Sequence, residues 1–226
     1  MSRFPDKPKA WVTGGSRGIG LAITAKLEEL GLVVSSYSSD DFDLGNKDSR
    51  QSFLNKEYDW PDVLILNAGV NYPNHFDIQP QEAFYDILEV NFLANVDLLR
   101  TIVPKMKNNS FGRIVAISSL FAGRAKKGRS AYSSSKAALE ALIRHIAVEN
   151  AEFGILANIV TPGFVDTELT RQNNSESEIR ALESRIPMQR LAQPSEIAEM
   201  VAFLVSPQNS YITGQNISVD GGVSLL

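Results

Sequence analysis

Tyr132 and Lys136 stand four residues apart in the run Tyr132-Ser133-Ser134-Ser135-Lys136, so on a helix they share one face. A phenol with a pKa of about 10 is a poor proton donor or acceptor at neutral pH. An ammonium one helical turn away favours the phenolate and is expected to bring that value down. Ser119, thirteen residues before Tyr132 and at the end of an apolar run, offers a hydroxyl that can donate to a carbonyl oxygen. Together these side chains could move a proton to or from an oxygen atom. Taken alone, a Tyr-x-x-x-Lys pair also occurs on many helices whose lysine simply faces solvent.

A second constellation lies near the start of the chain, in Thr13-Gly14-Gly15-Ser16-Arg17-Gly18-Ile19-Gly20. Gly14 permits a tight turn, Gly18 lets a pyrophosphate approach the backbone, and Gly20 lets the following helix pack closely. The helix N-terminus then offers N–H groups and a partial positive charge to phosphate. No Gly-Lys-Ser/Thr follows, so a nucleoside-triphosphate loop is a poor match. A plain strand–helix connector could carry the same glycines. Their place between the first strand and the first helix favours dinucleotide binding.

The elements that must hold these groups are legible as alternating apolar runs and amphipathic segments. Strands are predicted at Ala10–Thr13, Leu32–Tyr37, Asp62–Asn67, Arg113–Ser118, Ile155–Val160 and Asn216–Val219. Helices are predicted at Ile19–Leu30, Gln81–Met106 with an interruption by Pro104, Ala131–Phe153, and Pro194–Val205 with its proline at the start. Such alternation implies a parallel sheet covered on both faces. No repeat, linker or low-complexity tract divides the chain, so residues 1–226 are read as one domain. Between Tyr37 and Asp59 the chain is polar and holds one short helix at most. A second irregular stretch contains Arg171-Gln172-Asn173-Asn174-Ser175-Glu176, and the segment at about 164–190 is expected to be a lid.

Composition removes several classes of function. A net charge of -4 and a pI near 5.3 argue against a nucleic-acid partner, which normally needs a basic face. The chain has no cysteine, which excludes disulfides and thiolate chemistry, and with only His75 and His145 no metal site is expected. Met1 to Ala10 lacks the apolar core of a signal peptide, and no apolar run is long enough for a membrane span. A cytoplasmic location is the default expectation.

Other short motifs follow in a set order. Asn67-Ala68-Gly69 ends a buried strand, Asn91 lies in the long central helix, and Ser118-Ser119 closes the next strand. Pro162-Gly163-Phe164-Val165-Asp166-Thr167 follows the strand after the Tyr/Lys helix, and Tyr211-Ile212-Thr213-Gly214-Gln215 leads to Val219-Asp220-Gly221-Gly222. With the glycine turn and the Tyr/Lys pair, this series resembles the short-chain dehydrogenase/reductase family over essentially the whole chain. The resemblance implies a single Rossmann-fold α/β domain: a doubly wound, seven-stranded parallel sheet in the order 3-2-1-4-5-6-7, three helices on each face. It implies an NAD(P)-dependent oxidoreductase with Asn91, Ser119, Tyr132 and Lys136 catalytic, Asn91 holding a relay water and Lys136 the ribose. The cofactor residues implied are Thr13, Gly14, Ser16, Arg17, Gly18, Ile19, Gly20, Ser38, Asp43, Leu44, Asn67, Ala68, Gly69, Tyr132, Lys136, Pro162, Gly163, Val165 and Thr167. It also implies a homotetramer or homodimer, with the helices from Gln81 and Ala131 packing across a two-fold.

The resemblance places Ser38 at the end of strand 2, where NAD-preferring members usually carry an acid, and Arg17 beside a 2′-phosphate. NADP(H) is therefore implied over NAD(H), against which Asp40 and Asp41 weigh. The helix between strands 2 and 3 is largely deleted, with Asp43-Leu44 resembling the pair that meets adenine. The second half is most similar to 3-oxoacyl-carrier-protein reductases, which suggests a carbonyl or alcohol substrate, small or carrier-bound. Arg124, Lys126, Lys127 and Arg129, with Arg171, could attract an acidic carrier, a sugar nucleotide or a carboxylate, or could be a solvated basic loop. A sugar or small-alcohol dehydrogenase and a non-catalytic nucleotide-sensing scaffold are the alternatives. The complete set of Asn91, Ser119, Tyr132 and Lys136 weighs against the scaffold.

Overall fold

The computed structural model describes residues 5–56, 58–172 and 174–226; Met1 to Phe4 of the N-terminal run and Asn173 of the polar tract lie outside the described residues. The chain runs β1 (Lys9–Thr13), α1 (Gly18–Glu29), β2 (Val33–Tyr37), α2 (Lys47–Leu54), β3 (Val63–Leu66) and α3 (Gln81–Leu88). A π-helical turn, Glu89–Leu93, joins α3 to α4 (Ala94–Asn108), followed by β4 (Gly112–Ile117), α5 (Leu120–Gly123) and α6 (Ser130–Asn150). The remainder is β5 (Ile155–Pro162), α7 (Glu168–Gln172), α8 (Glu176–Glu183), α9 (Pro194–Val205) and β6 (Asn216–Val219).

Strands pair in parallel in the order β2-β1-β3-β4-β5-β6. The sheet therefore has six strands among the described residues, not seven: the expected edge strand beside β2 does not form. Local hydrogen bonds take the groups a ladder would need. The Asp41 carboxylate accepts from the Ser38 N–H at 2.6 Å and its hydroxyl at 3.0 Å, and the Asp43 carboxylate accepts from Gly45 N–H at 2.8 Å. Asn46 then caps α2 through the Ser49 N–H at 3.0 Å. The short connection has room for only one helix, and β2 becomes the edge.

The two faces of the sheet sort by alternation along each strand. Ala10, Val12, Val63, Ile65, Val115, Ile117 and Val160 pack against Ile23 and Leu27 of α1 and Ile197 and Val201 of α9. Trp11, Leu64, Leu66, Ile114, Ala116 and Ile159 face Phe53 of α2, Leu98 and Ile102 of α4, and Leu139 and Ile143 of α6. One face thus carries two helices and the other three, where three on each were expected; the missing helix left with the missing strand. Each fully buried Leu or Ile contributes about 1.5–3 kcal/mol, so these two layers fix the strand register.

Pro104 does not end its helix: α4 continues four residues beyond it, because one lost backbone bond is outweighed by burial of Ile102, Val103 and Met106. The interruption falls instead at the π-helical turn, which carries Asn91. A third cluster, Leu120, Ile179, Ile186, Leu191 and Val223 with Phe164 and Leu182 against it, seats α8 over α5. Among the described residues no helix is long and apolar enough to cross a membrane, and no group of three metal-ligating side chains occurs.

Candidate active site

All strands being parallel, the ends of β1, β3, β4 and β5 meet at one edge of the sheet, and the candidate residues collect there. Thr13 closes β1; its buried hydroxyl donates to Ile65 carbonyl oxygen at 3.3 Å and accepts from the N–H groups of Asn67 and Ala68 at 3.1 and 3.2 Å. The Asn67 amide donates back to the carbonyls of Thr13 at 3.0 Å and Gly14 at 2.9 Å. Two strand ends are thereby locked together with the glycine turn between them.

The turn has the shape its glycines allow. Gly14 and Gly18 adopt φ of 65° and 55°, in the left-handed region. A Cβ on Gly20 would lie 2.1 Å from the Gly14 carbonyl oxygen, so the helix starts in backbone contact with the turn. Arg17 and Ser16 are exposed, while Ile19 packs into the α1–α9 layer. Arg17 occupies the cap position of α1 without a side-chain capping bond, and no acidic residue enters the first turn. A helix N-terminus left without a side-chain cap or a carboxylate beside a glycine cradle suits a pyrophosphate.

Pro162 ends β5 and Gly163 donates its N–H to Val219 carbonyl oxygen at 2.9 Å. A Cβ on Gly163 would meet Asp220 at 2.6 Å, which fixes the exit of this segment. Val165 is buried and bridges to Ala192, and Thr167 shares a 3.0 Å hydroxyl contact with Thr170. A Cβ on Gly18 would find the Thr167 side chain at 3.5 Å, so the segments flanking a dinucleotide face one another. At the far end Ser38 is occupied by Asp41. Asp43 takes a Ser49 hydroxyl at 3.0 Å on its N–H, and the Leu44 carbonyl accepts from Arg50.

Ser119 caps α5, accepting the Phe121 N–H on its hydroxyl at 3.2 Å, and lies near enough to the Tyr132 phenol to favour its ionised form. Tyr132 is half-buried with its hydroxyl end enclosed, and its pKa is raised: burial is the largest cause, opposed by Ser119 and by the Arg129 guanidinium. This reverses the expected lowering by Lys136. Lys136 is 3% exposed; its Nζ lies 6.0 Å from the Tyr132 ring centroid and donates to Ile117 carbonyl oxygen at 2.8 Å. Burial pushes Lys136 down to about 8. Burial, not mutual attraction, sets both groups.

Asn91 is fully buried, and its amide is committed: Oδ1 accepts from Val70 N–H at 2.8 Å, while Nδ2 donates to Val70 carbonyl oxygen at 2.9 Å and Ser135 Oγ at 3.1 Å. Its backbone carbonyl accepts from Asn95 at 2.8 Å. Asn91 thus fixes the strand end carrying Gly69, whose Cβ position is 3.5 Å from Lys136 Nζ.

Sequence reasoning missed three residues here. Ser135 ties Asn91 to Tyr132 by donating to the Tyr132 carbonyl at 2.8 Å; its place three after Tyr132 on one helix face was the available signal. Arg50, 1% exposed, joins Leu44 to Glu89 and Asp97 and so pins the shortened connection beside the π-helical turn. Arg185, beyond α8, acts by its charge on Lys126 in the segment between Ser119 and Tyr132, and it carries no local sequence signal.

A phosphate cradle beside a buried phenol, hydroxyl and ammonium is the layout of a dinucleotide-dependent oxidoreductase. The family model described as enoyl-(acyl carrier protein) reductase matches residues 42–224. The chain is 34% identical over 233 residues to the 3-oxoacyl-[acyl-carrier-protein] reductase FabG of Rickettsia conorii, covering 95% of this chain and 96% of that protein. It is 32% identical to the acetoacetyl-CoA reductase of Shinella zoogloeoides, covering 94% and 97%. Among solved structures, a proposed NAD(P)-dependent gluconate 5-dehydrogenase from Beutenbergia cavernae, with NADP at low occupancy, has a TM-score of 0.90 at 28% identity and 97% coverage of both chains. The chain belongs to the short-chain dehydrogenase/reductase family and is an NAD(P)-dependent oxidoreductase acting on carbonyl or alcohol groups.

Proposed function

We propose that this protein is an NADP(H)-preferring reductase of 3-oxoacyl thioesters, with Ser119, Tyr132 and Lys136 as its proton-transfer group. The observation that carries the reading is the meeting of Ser119 at the end of β4 with Tyr132 and Lys136 on α6, the Lys136 Nζ 6.0 Å from the Tyr132 ring centroid and the phenol kept protonated by burial. When bound, the nicotinamide supplies the hydride that reaches the carbonyl carbon. The Ser119 hydroxyl donates to the carbonyl oxygen and orients it. Tyr132 gives its proton to the same oxygen as negative charge develops there. The Lys136 ammonium, one turn along α6, stabilises the phenolate that remains and holds ribose hydroxyls. Asn91 acts by position, holding Val70 and Ser135 against this group. The segment at about 164–190 closes over the site as a lid, its Phe164 ring meeting Phe121 edge-on at 6.4 Å. A second copy would pack on the face shared by α4 and α6, where Val96, Leu99, Val103, Leu142 and Ile146 line a groove.

The glycine cradle and the uncapped start of α1 fit the pyrophosphate, the exposed Arg17 beside them suits a 2′-phosphate, and the 3-oxoacyl relatives support the substrate class. Asp41 opposes the cofactor preference, since its carboxylate holds the Ser38 hydroxyl. Asp41→Asn is therefore expected to tighten NADPH binding relative to NADH by about tenfold, or ~1.4 kcal/mol. Fluorescence titration of both cofactors measures this, and a variant that instead weakens both would assign Asp41 to the ribose hydroxyls and the protein to NAD(H).

The function itself is tested by following NADPH absorbance with acetoacetyl-CoA, with NADH in parallel. Faster turnover with NADPH supports the reading. Bound NADPH without turnover would remove the thioester substrate and direct the search to sugars and small alcohols.

A further inference from the structure

The basic residues near the site fall into two sets once their partners are known. Arg124 is committed to the backbone oxygens of Val223, at 2.6 Å, and Leu226, and Arg171 makes two 2.6 Å bonds to Asp166. Lys26, Arg50, Arg144, Arg180 and Arg190 likewise each have a carboxylate partner. Lys126, Arg129 and Arg185 belong to no ion pair among the described residues, although the chain carries more acids than bases.

These three converge on the catalytic loop from two segments. The Lys126 Nζ and Arg129 Cζ lie 5.1 and 5.9 Å from the Phe121 ring centroid, and Phe121 is the residue whose N–H contacts Ser119 Oγ. Ile186 belongs to the same buried cluster as Leu120, and the exposed Arg185 beside it is near enough for its charge to act on Lys126. The charges feel one another: Lys126 is lowered by burial, then by Arg129, then by Arg185, and Arg129 is lowered by burial. Two buried polar atoms that find no partner among the described residues lie on the adjoining segments. Ser130 Oγ follows Arg129, and Asn71 Oδ1 sits on the loop whose Asn74 N–H donates to Gly128 carbonyl oxygen at 3.1 Å.

We propose that Lys126, Arg129 and Arg185 form an anion subsite at the mouth of the Ser119–Tyr132 pair, which takes a carboxylate or phosphate carried by the substrate. Like charges gathered without a counter-ion repel one another, and an oxyanion placed among them relieves that repulsion while supplying an acceptor for Ser130. Because Arg185 lies on the segment over the site, the anion also draws that segment onto the catalytic loop. The assignment rests on reading Ser119 and Tyr132 as the carbonyl site.

The test uses three acetoacetyl compounds with the NADPH-loaded protein: acetoacetate, which presents a carboxylate; acetoacetyl-CoA, which presents phosphates; and the neutral acetoacetyl thioester of N-acetylcysteamine. Lys126→Gln, Arg129→Gln and Arg185→Gln are compared with Lys127→Gln, a neighbouring lysine outside the cluster, as the control. Each cluster variant is expected to reduce the preference for one anionic compound over the neutral thioester by about tenfold in kcat/KM, as loss of a charged hydrogen bond should. The compound affected identifies carboxylate or phosphate as the anion. Equal losses on charged and neutral compounds, or an unchanged preference, would overturn the subsite. Calorimetric binding of acetoacetate and acetoacetyl-CoA to the same loaded proteins decides the matter without turnover. If none of the three compounds is reduced, the thioester reading fails. Saturable anion binding that is lost in the cluster variants then still upholds the subsite, and its absence in the wild type overturns it.

Discussion

Replacing Tyr132 by Phe is expected to lower reductive turnover of acetoacetyl-CoA by about 10³-fold, within the range for loss of a general acid, with NADPH binding unchanged. The substitution removes one oxygen from a half-buried ring and leaves the helix, Lys136 and the glycine turn in place. Ser119, the neighbour that favours the ionised phenol, also accepts the Phe121 N–H and so keeps its orientation. Comparable turnover by the variant would remove Tyr132 from the mechanism. The pH dependence adds a second check. With the phenol raised and Lys136 at about 8, raising the pH through 8 discharges the ammonium before the tyrosine. Reductive kcat should fall there. Stability should move the other way: Lys136 is lowered from 10.5 to about 8, so between those values the unfolded chain binds more protons and folding strengthens as pH rises. That contribution is lost as pH falls through about 8. Denaturation midpoints and kcat measured across pH 7–10 would reveal the opposed trends, and parallel trends would contradict the role given to Lys136.

Gly20→Ala is expected to destabilise the protein by about 3 kcal/mol and to abolish NADPH binding at micromolar protein. In an ordinary helix the change would stabilise by about 0.5–1 kcal/mol. Here the new Cβ would lie 2.1 Å from the Gly14 carbonyl oxygen and 2.5 Å from the Asn67 amide. Neither can retreat, because the amide bonds that carbonyl at 2.9 Å and the Thr13 carbonyl at 3.0 Å. Relief requires moving the start of α1 off the turn, which dismantles the phosphate cradle. Gly123→Ala, where a Cβ meets nothing within 4 Å, is the control and should change stability by less than about 0.5 kcal/mol. Urea denaturation with a fluorescence titration of NADPH measures both effects. Unimpaired binding by Gly20→Ala would show that the turn does not need this close approach.

Much of the site is legible in the amino-acid order because it is built from local rules. The Tyr132–Lys136 spacing fixes one helix face, the glycines fix a turn, and the apolar runs β3 and β4 are buried along their whole length. Expectations weakened where a choice depended on partners distant in the chain. The seventh strand was expected from resemblance, yet Ser38, Asp41, Asp43 and Asn46 direct their polar groups to one another and their immediate neighbours. Pro104 was expected to break a helix that tertiary burial of its neighbours carries through.

The order of elements, the nucleotide turn and the candidate proton-transfer residues all follow from the amino-acid order, since each depends on backbone geometry over a few residues. Which charges remain unpaired, and how buried each titratable group is, emerges only when the chain has folded. Nearness along the chain does not separate Arg124 and Arg171, whose partners are Val223, Leu226 and Asp166, from Lys126 and Arg129. The direction of the Tyr132 shift likewise followed from its enclosure and not from its neighbour four residues on. Desolvation and pairing are properties of the space around a side chain, and that space is assembled from segments far apart in the chain.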